Sequence, residues 1–208
     1  MKTLIFTIAL LFSQFNLAEG FAADFDYKVL KKPVKTEVNK GKVEVRELFW
    51  YYCPHCYDLE PAIIHWLENN KPDEAVYIAQ PAVFSERWVS GAMFYYMLEE
   101  LNLLDALHGS LFNAIHKHKI KFKNIEDFIN WLEYNGVDRK KAEKAAKSFS
   151  LRVKLNKARI NSTKYEVNGV PAIIVNGKYM INLTIANSAE RLFEIVNYLV
   201  RKEVESSK

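Results

Sequence analysis

The chain has 208 residues, of which 50% are hydrophobic and 13% aromatic, and it carries a net charge of +4 at neutral pH. That apolar content excludes a disordered chain, and the length suits one domain or one domain with a large insertion. The lysines are spread through stretches of helical pattern and read as solvated faces, which argues against nucleic acid as a partner.

Residues 1–22 read as a secretory signal. Lys2 and the amino terminus supply the positive end, Leu4 to Phe12 the apolar run, and Gly20 and Ala22 a small-residue cleavage site. The run is interrupted by Ser13, Gln14 and Asn16, too soon to span a bilayer as a retained anchor. The mature protein is therefore expected to be exported, soluble and, by default, monomeric. A short strand is predicted over Tyr27–Leu30 and a stronger one over Lys42–Trp50, with Val43, Val45, Glu47 and Phe49 on one face. A helix opens at Cys53-Pro54-His55-Cys56 and runs to about Asn70, where Lys71-Pro72-Asp73 breaks it. Ala75–Gln80 is a third strand.

From Ser85 to about Tyr165 the pattern is wholly helical. Ile125, Phe128, Ile129 and Leu132 follow helical spacing up to Gly136, and Ala142, Ala145, Ala146 and Phe149 repeat it behind an Asp138 cap. Two helices are predicted between Arg87 and His118, and another over Leu151–Tyr165. Phe94-Tyr95-Tyr96-Met97 reads as core of this block. Strands then return on either side of Asn176-Gly177, a strong hairpin signal, and a helix closes the chain over Ala189–Lys202. The order β, β, α, β, helical block, β, β, α describes a thioredoxin-like α/β fold, a mixed sheet flanked by helices, interrupted by an all-helical insertion. The layout is a signal at 1–22, thioredoxin-like parts at 23–84 and 166–208, and the insertion at 85–165.

Cys53 and Cys56 are the only cysteines. A bridge between residues three apart constrains little of the unfolded chain, so the pair makes a poor staple and a good reagent. Cys53 falls where a strand ends and a helix begins, and free N–H groups there favour a negative sulfur. His55 adds a cation or a donor beside it, and Pro54 suits a first helical turn. Together these lower a thiol from ~8.5 into a range of roughly 3.5–7.5. A zinc site would need two further ligands, and the other histidines, His65, His108, His116 and His118, are scattered; neither a metal nor a cofactor is expected.

Gly169-Val170-Pro171-Ala172 precedes the hairpin. A cis peptide at Pro171 would leave the Val170 backbone groups near Cys53, able to pair with an extended substrate. Glu47, on the apolar face of its strand, is expected to have a raised pKa and to accept a proton from the inner thiol, Cys56. Pro61 is read as a geometric kink in the dithiol helix, and Phe49 to Tyr52 as core and rim.

Glu47 with its aromatic run, Cys53-Pro54-His55-Cys56-Tyr57, and Gly169-Val170-Pro171-Ala172 continuing to Val175-Asn176-Gly177-Lys178-Tyr179 closely resemble the DsbA family of periplasmic thiol:disulfide oxidoreductases. The resemblance extends to the position of the insertion and to the mature length. It implies a redox-active Cys53–Cys56 disulfide donated to reduced, unfolded exported proteins, with Cys53 as the attacking sulfur and Cys56 as the resolving one. It also implies reoxidation by a membrane partner of the DsbB type. The related isomerases carry an N-terminal dimerisation domain, for which about twenty residues leave no room. One departure stands out: the family often places a lysine on the strand after the dithiol helix, and Val76-Tyr77-Ile78-Ala79-Gln80 has none. Two competing readings are a periplasmic reductase of the same fold and a peptide-binding module without turnover; the second has no use for both sulfurs.

Overall fold

The computed structural model describes residues 20–207, so nearly all of the expected signal lies outside it. Five strands form one sheet in the order β1-β5-β4-β2-β3: Lys28–Val29, Val43–Phe49, Ala75–Pro81, Ala172–Val175 and Tyr179–Asn182 are β1 to β5. Strand β2 is central, parallel to β3 and antiparallel to β4. It is buried along its whole length because helices and loops cover both faces of the sheet.

One face is covered by α1 (Pro54–Asn69) and α8 (Ala189–Ser206). Leu59, Ile63 and Trp66 of α1 meet Ile195, Val196 and Leu199 of α8 over Val43, Val45 and Ile173. Trp66 stacks on Phe193 at 5.0 Å and donates its indole N–H to Asn197 at 2.9 Å, so its one polar atom is satisfied. Pro61 lies inside α1.

Between β3 and β4 comes the helical block. After a 3-10 turn at Glu86–Trp88 it comprises α2 (Val89–Glu100), α3 (Leu104–His116), α4 (Ile125–Tyr134), α5 (Arg139–Ala146) and α6 (Phe149–Lys164). Asn124 and Asp138 cap α4 and α5 by accepting from the N–H groups of Asp127 and Lys141, and Gly136 ends α4 at φ +84. One expectation fails here. Phe149 does not extend the buried stripe of α5; the chain turns at Lys147–Ser148, and Phe149 opens α6 with 73% of its surface exposed. A second helix start with only two residues between it and the end of the first leaves a continuous helical spacing in the sequence and a corner in space.

Asn176 and Gly177 both take left-handed backbone, at φ 50 and 62, as a two-residue hairpin of this twist requires. Gly177 is also pinned from above: the Val34 N–H donates to its carbonyl at 2.8 Å, and a Cβ on Gly177 would stand 2.0 Å from the Val34 carbonyl oxygen. A short helix unseen in the sequence, α7 (Leu183–Ala186), follows β5, capped by Asn182.

On the other face of β2 lies a buried polar joint. Arg46, 3% exposed, donates to Glu44 at 2.7 Å, to Gln80 at 3.0 Å and to Glu37 at 2.8 Å. Asn161 of α6 donates to the same Gln80 oxygen at 3.1 Å, tying the helical block to the sheet. At the amino end, the Phe21 ring stands edge-on to Tyr198 at 5.5 Å, beneath the Arg191 guanidinium at 5.2 Å. Among the described residues no helix is long and apolar enough to cross a membrane.

Candidate active site

Trp50 to Tyr52 carry the chain from the end of β2 into α1, which puts Cys53 at the cap and Pro54 at the first helical position. No side chain caps this end, so the first-turn N–H groups are left facing the Cys53 sulfur. The structure holds the dithiol form, with Cys53 partly exposed and Cys56, one turn on, fully buried. The Cys53 thiol is lowered from 9.0 to about 6, first by a hydrogen bond from the Cys56 thiol and then by the backbone N–H groups of Cys56 and His55. The charge of His55 comes last among these influences, because its ring is exposed to water. Burial pushes the Cys56 thiol far up, and the negative charge of Glu47 adds to the effect.

The Val170–Pro171 peptide is cis, and the Cys53 sulfur lies 3.4 Å from the Val170 carbonyl oxygen. An open groove of about 390 Å³ runs alongside, lined by His55, Asn168, Val170, Pro171, Asn182 and Thr184 among others. The fold thus gathers all the residues singled out in the sequence at one end of the sheet, with Glu47 behind the sulfurs.

Glu47 is 1% exposed. Burial raises it to about 8, the charge of Glu60 pushes the same way, and the Tyr77 hydroxyl opposes both by donating to the Glu47 carboxylate. Tyr77 sits on β3, where Val45 pairs with Tyr77 and Glu47 with Ala79, so it faces the same side as Glu47. It therefore supplies Glu47 with a neutral donor from a strand that carries no lysine. Glu60 is itself raised to about 7 by burial. His108 of α3 places Nε2 3.5 Å from Glu60 and Nδ1 2.6 Å from the Tyr51 hydroxyl; burial lowers it to about 4, so it is neutral at pH 7. Glu60, Tyr77 and His108 line an open groove of about 690 Å³ on the side of α1 away from Pro171's groove. The ring of His116 stacks on Tyr57 at 4.9 Å and bonds the Tyr51 carbonyl at 2.7 Å.

Tyr77, Glu60, His108 and His116 escaped the sequence reading. Glu60 had a signal: it follows Cys56 by four residues and so shares its helix face. The two histidines had none, since only the folding of α3 against α1 brings them here.

A buried and an exposed thiol at the start of a helix, beside a cis-proline on a thioredoxin-like sheet, define a dithiol–disulfide oxidoreductase. Residues 60–199 match the family model of the DSBA-like thioredoxin domain. The chain is 36% identical over 213 residues to the thiol:disulfide interchange protein DsbA of Pseudomonas aeruginosa, covering 100% of both chains. It is 32% identical to that of Burkholderia cepacia, again over 100% of each. The crystal structure of Pseudomonas aeruginosa DsbA superposes with a TM-score of 0.85 at 34% identity, over 91% of this chain and 98% of that one. DsbA of Xylella fastidiosa gives a TM-score of 0.78 at 26% identity, over 86% and 95%. The chain belongs to the DsbA family of thiol:disulfide oxidoreductases.

Proposed function

We propose that this protein is a periplasmic oxidase that transfers the Cys53–Cys56 disulfide to reduced, unfolded exported proteins. The observation that carries this reading is the asymmetry of the dithiol. The outer sulfur is partly exposed and stabilised as a thiolate, while the inner one is buried and held as a thiol. A reduced form favoured in this way makes the disulfide the less stable state and therefore a donor.

A substrate thiolate attacks Cys53, a new S–S bond forms, and Cys56 leaves as a thiolate that takes up a proton. A second substrate thiolate then attacks the substrate sulfur of the mixed disulfide and releases Cys53 as a thiolate. The substrate loses two electrons and the enzyme gains them. Glu47, protonated at neutral pH with its pKa about 8, supplies the proton to the departing Cys56 and accepts it again on reoxidation. Val170 offers backbone groups for an extended substrate, Pro171 keeps them beside Cys53, and Pro54 and His55 set the helix start. The electrons pass to a membrane reoxidase of the DsbB type, and the protein acts as a monomer after its signal is removed.

The test is transfer from the oxidised protein to reduced, unfolded ribonuclease, together with the reduction potential against glutathione. Cys53→Ser should abolish transfer, Cys56→Ser should accumulate mixed disulfide, and the potential should lie above that of glutathione. Full transfer by Cys53→Ser, or a potential well below glutathione's, would turn the reading towards a reductase or away from redox chemistry.

A further inference from the structure

Helix α6 has two apolar stripes, and the fold uses one. Leu151 and Ala158 turn inward with Asn161 and Ser162, and Leu155 packs beside them. Phe149, Val153 and Ile160 share the opposite side, where they are 73%, 49% and 45% exposed. The helix holds five cations and no acid in 16 residues. Its neighbour α5 buries Ala142 and Ala145 and turns Lys140 and Lys144 the other way, a stripe that Lys147 continues.

These stripes join at the corner between the helices. Arg152 donates to the Lys147 carbonyl at 3.3 Å, and its guanidinium lies 5.7 Å over the Phe149 ring. Carboxylates answer several cations of the pair: Arg139 meets Glu126, Glu133 and, within α5, Glu143, Lys154 meets Glu99, Lys157 meets Glu37, and Arg159 meets Glu86. Lys140, Lys144, Lys147 and Arg152 have no carboxylate partner among the described residues. Four exposed or half-exposed cations without a carboxylate partner thus lie along α5 and the corner to α6, with Arg152 beside the exposed Phe149 ring.

We propose that the outer face of α5 and α6 docks on a membrane surface rich in anionic lipid. The unpaired cations meet the headgroups, and Phe149 with Val153 enters the interfacial layer, as on a basic helix lying in that plane. Charge complementarity selects the anionic lipid. Phe149, 73% exposed and outside the groove of about 630 Å³ that Val153 and Ile160 border against Thr36 and Glu37, stands free to enter a soft layer.

The test uses protein expressed from the full-length sequence and recovered from the exported fraction, floated with vesicles of phosphatidylcholine with or without phosphatidylglycerol. Binding should require phosphatidylglycerol and be released by salt. The triple substitution Lys144→Gln, Lys147→Gln, Arg152→Gln should weaken it on the order of a hundredfold, at roughly fivefold per cation. Phe149→Ser should weaken it about tenfold. Circular dichroism and the Cys53 titration should be unchanged in both variants. Equal partition onto neutral and anionic vesicles, or full binding by the triple variant, overturns the proposal. So does capture by polyglutamate without any vesicle binding, which would assign the face to an acidic protein. Should the triple variant fail to fold, the lipid and salt dependence of the unaltered protein decides alone.

Discussion

Ionisation of Cys53 should make the stability of the reduced protein depend on pH in a way the oxidised protein cannot follow. The perturbation is acidification from pH 7 to pH 5. A thiol at about 6 in the folded chain against 9.0 as its reference is a depressed acid. Its contribution is complete above the unfolded value and vanishes as pH falls through the folded one. At pH 7 the two ionisation equilibria differ about elevenfold, or about 1.4 kcal/mol; since the sulfur is only half-buried, screening brings this to about 1 kcal/mol. At pH 5 both states are protonated and almost nothing remains. For a chain of this size about 1 kcal/mol moves the melting temperature by roughly 2–4 °C. The assay is calorimetric melting of reduced and oxidised protein at pH 5, 6 and 7, read as the gap between the two. Glu47 and Glu60 titrate in both redox forms, so to first order they drop out of the gap. The reduced form should melt higher at pH 7 and lose about 2–4 °C of its lead by pH 5. A gap that does not change with pH, or an oxidised form that melts higher at pH 7, would refute the thiolate account.

Three further outcomes are expected. His55→Ala should raise the Cys53 pKa, read by thiolate absorbance, by only a small part of the drop from 9.0 to about 6, because the backbone donors remain; a complete return to the free-thiol value would show that the imidazole dominates. Glu47 is raised to about 8 from 4.5, so its burial costs stability progressively as pH climbs through that interval. Glu47→Gln should therefore stabilise the fold by on the order of 3 kcal/mol at pH 7 and by little at pH 4, measured by urea unfolding; equal effects at both pH values would remove the raised carboxyl from the account. Arg46→Met leaves Glu44 buried without its cation, and should cost about 3–5 kcal/mol and lower the melting temperature by on the order of 10 °C. The double variant Arg46→Met, Glu44→Leu should recover most of that loss, and no recovery would mean that Arg46 acts through its packing instead.

Local patterns made most of the fold legible. The central strand, the dithiol helix and the Asn176-Gly177 turn each follow from contacts within a few residues, and each forms as the sequence leads one to expect. The failures are of another kind. Phe149 kept helical spacing across a corner, and α7 is too short to show a period. At the site, the sulfurs, the cis-proline and Glu47 were recognisable because each belongs to a motif. Tyr77 was read only as a place where lysine was missing. Its role arises from parallel pairing between strands whose residues lie thirty apart, which no local pattern encodes.

The pleat of β2 sorts its charges. Arg46 and Glu47 are chain neighbours, yet alternation sends them to opposite sides of the sheet. The guanidinium serves Glu44 and Glu37 on one side, while on the other Glu47 accepts from the neutral Tyr77 hydroxyl. A single sheet layer thus separates an ion-paired side, which fastens the helical block, from a side on which burial and the charge of Glu60 raise the Glu47 carboxyl. A one-residue slip of this strand would exchange the two: Arg46 and Glu44 would turn together towards the thiols, and Glu47 would turn away from them. The register of one strand is therefore as much a determinant of the redox site as the cysteines.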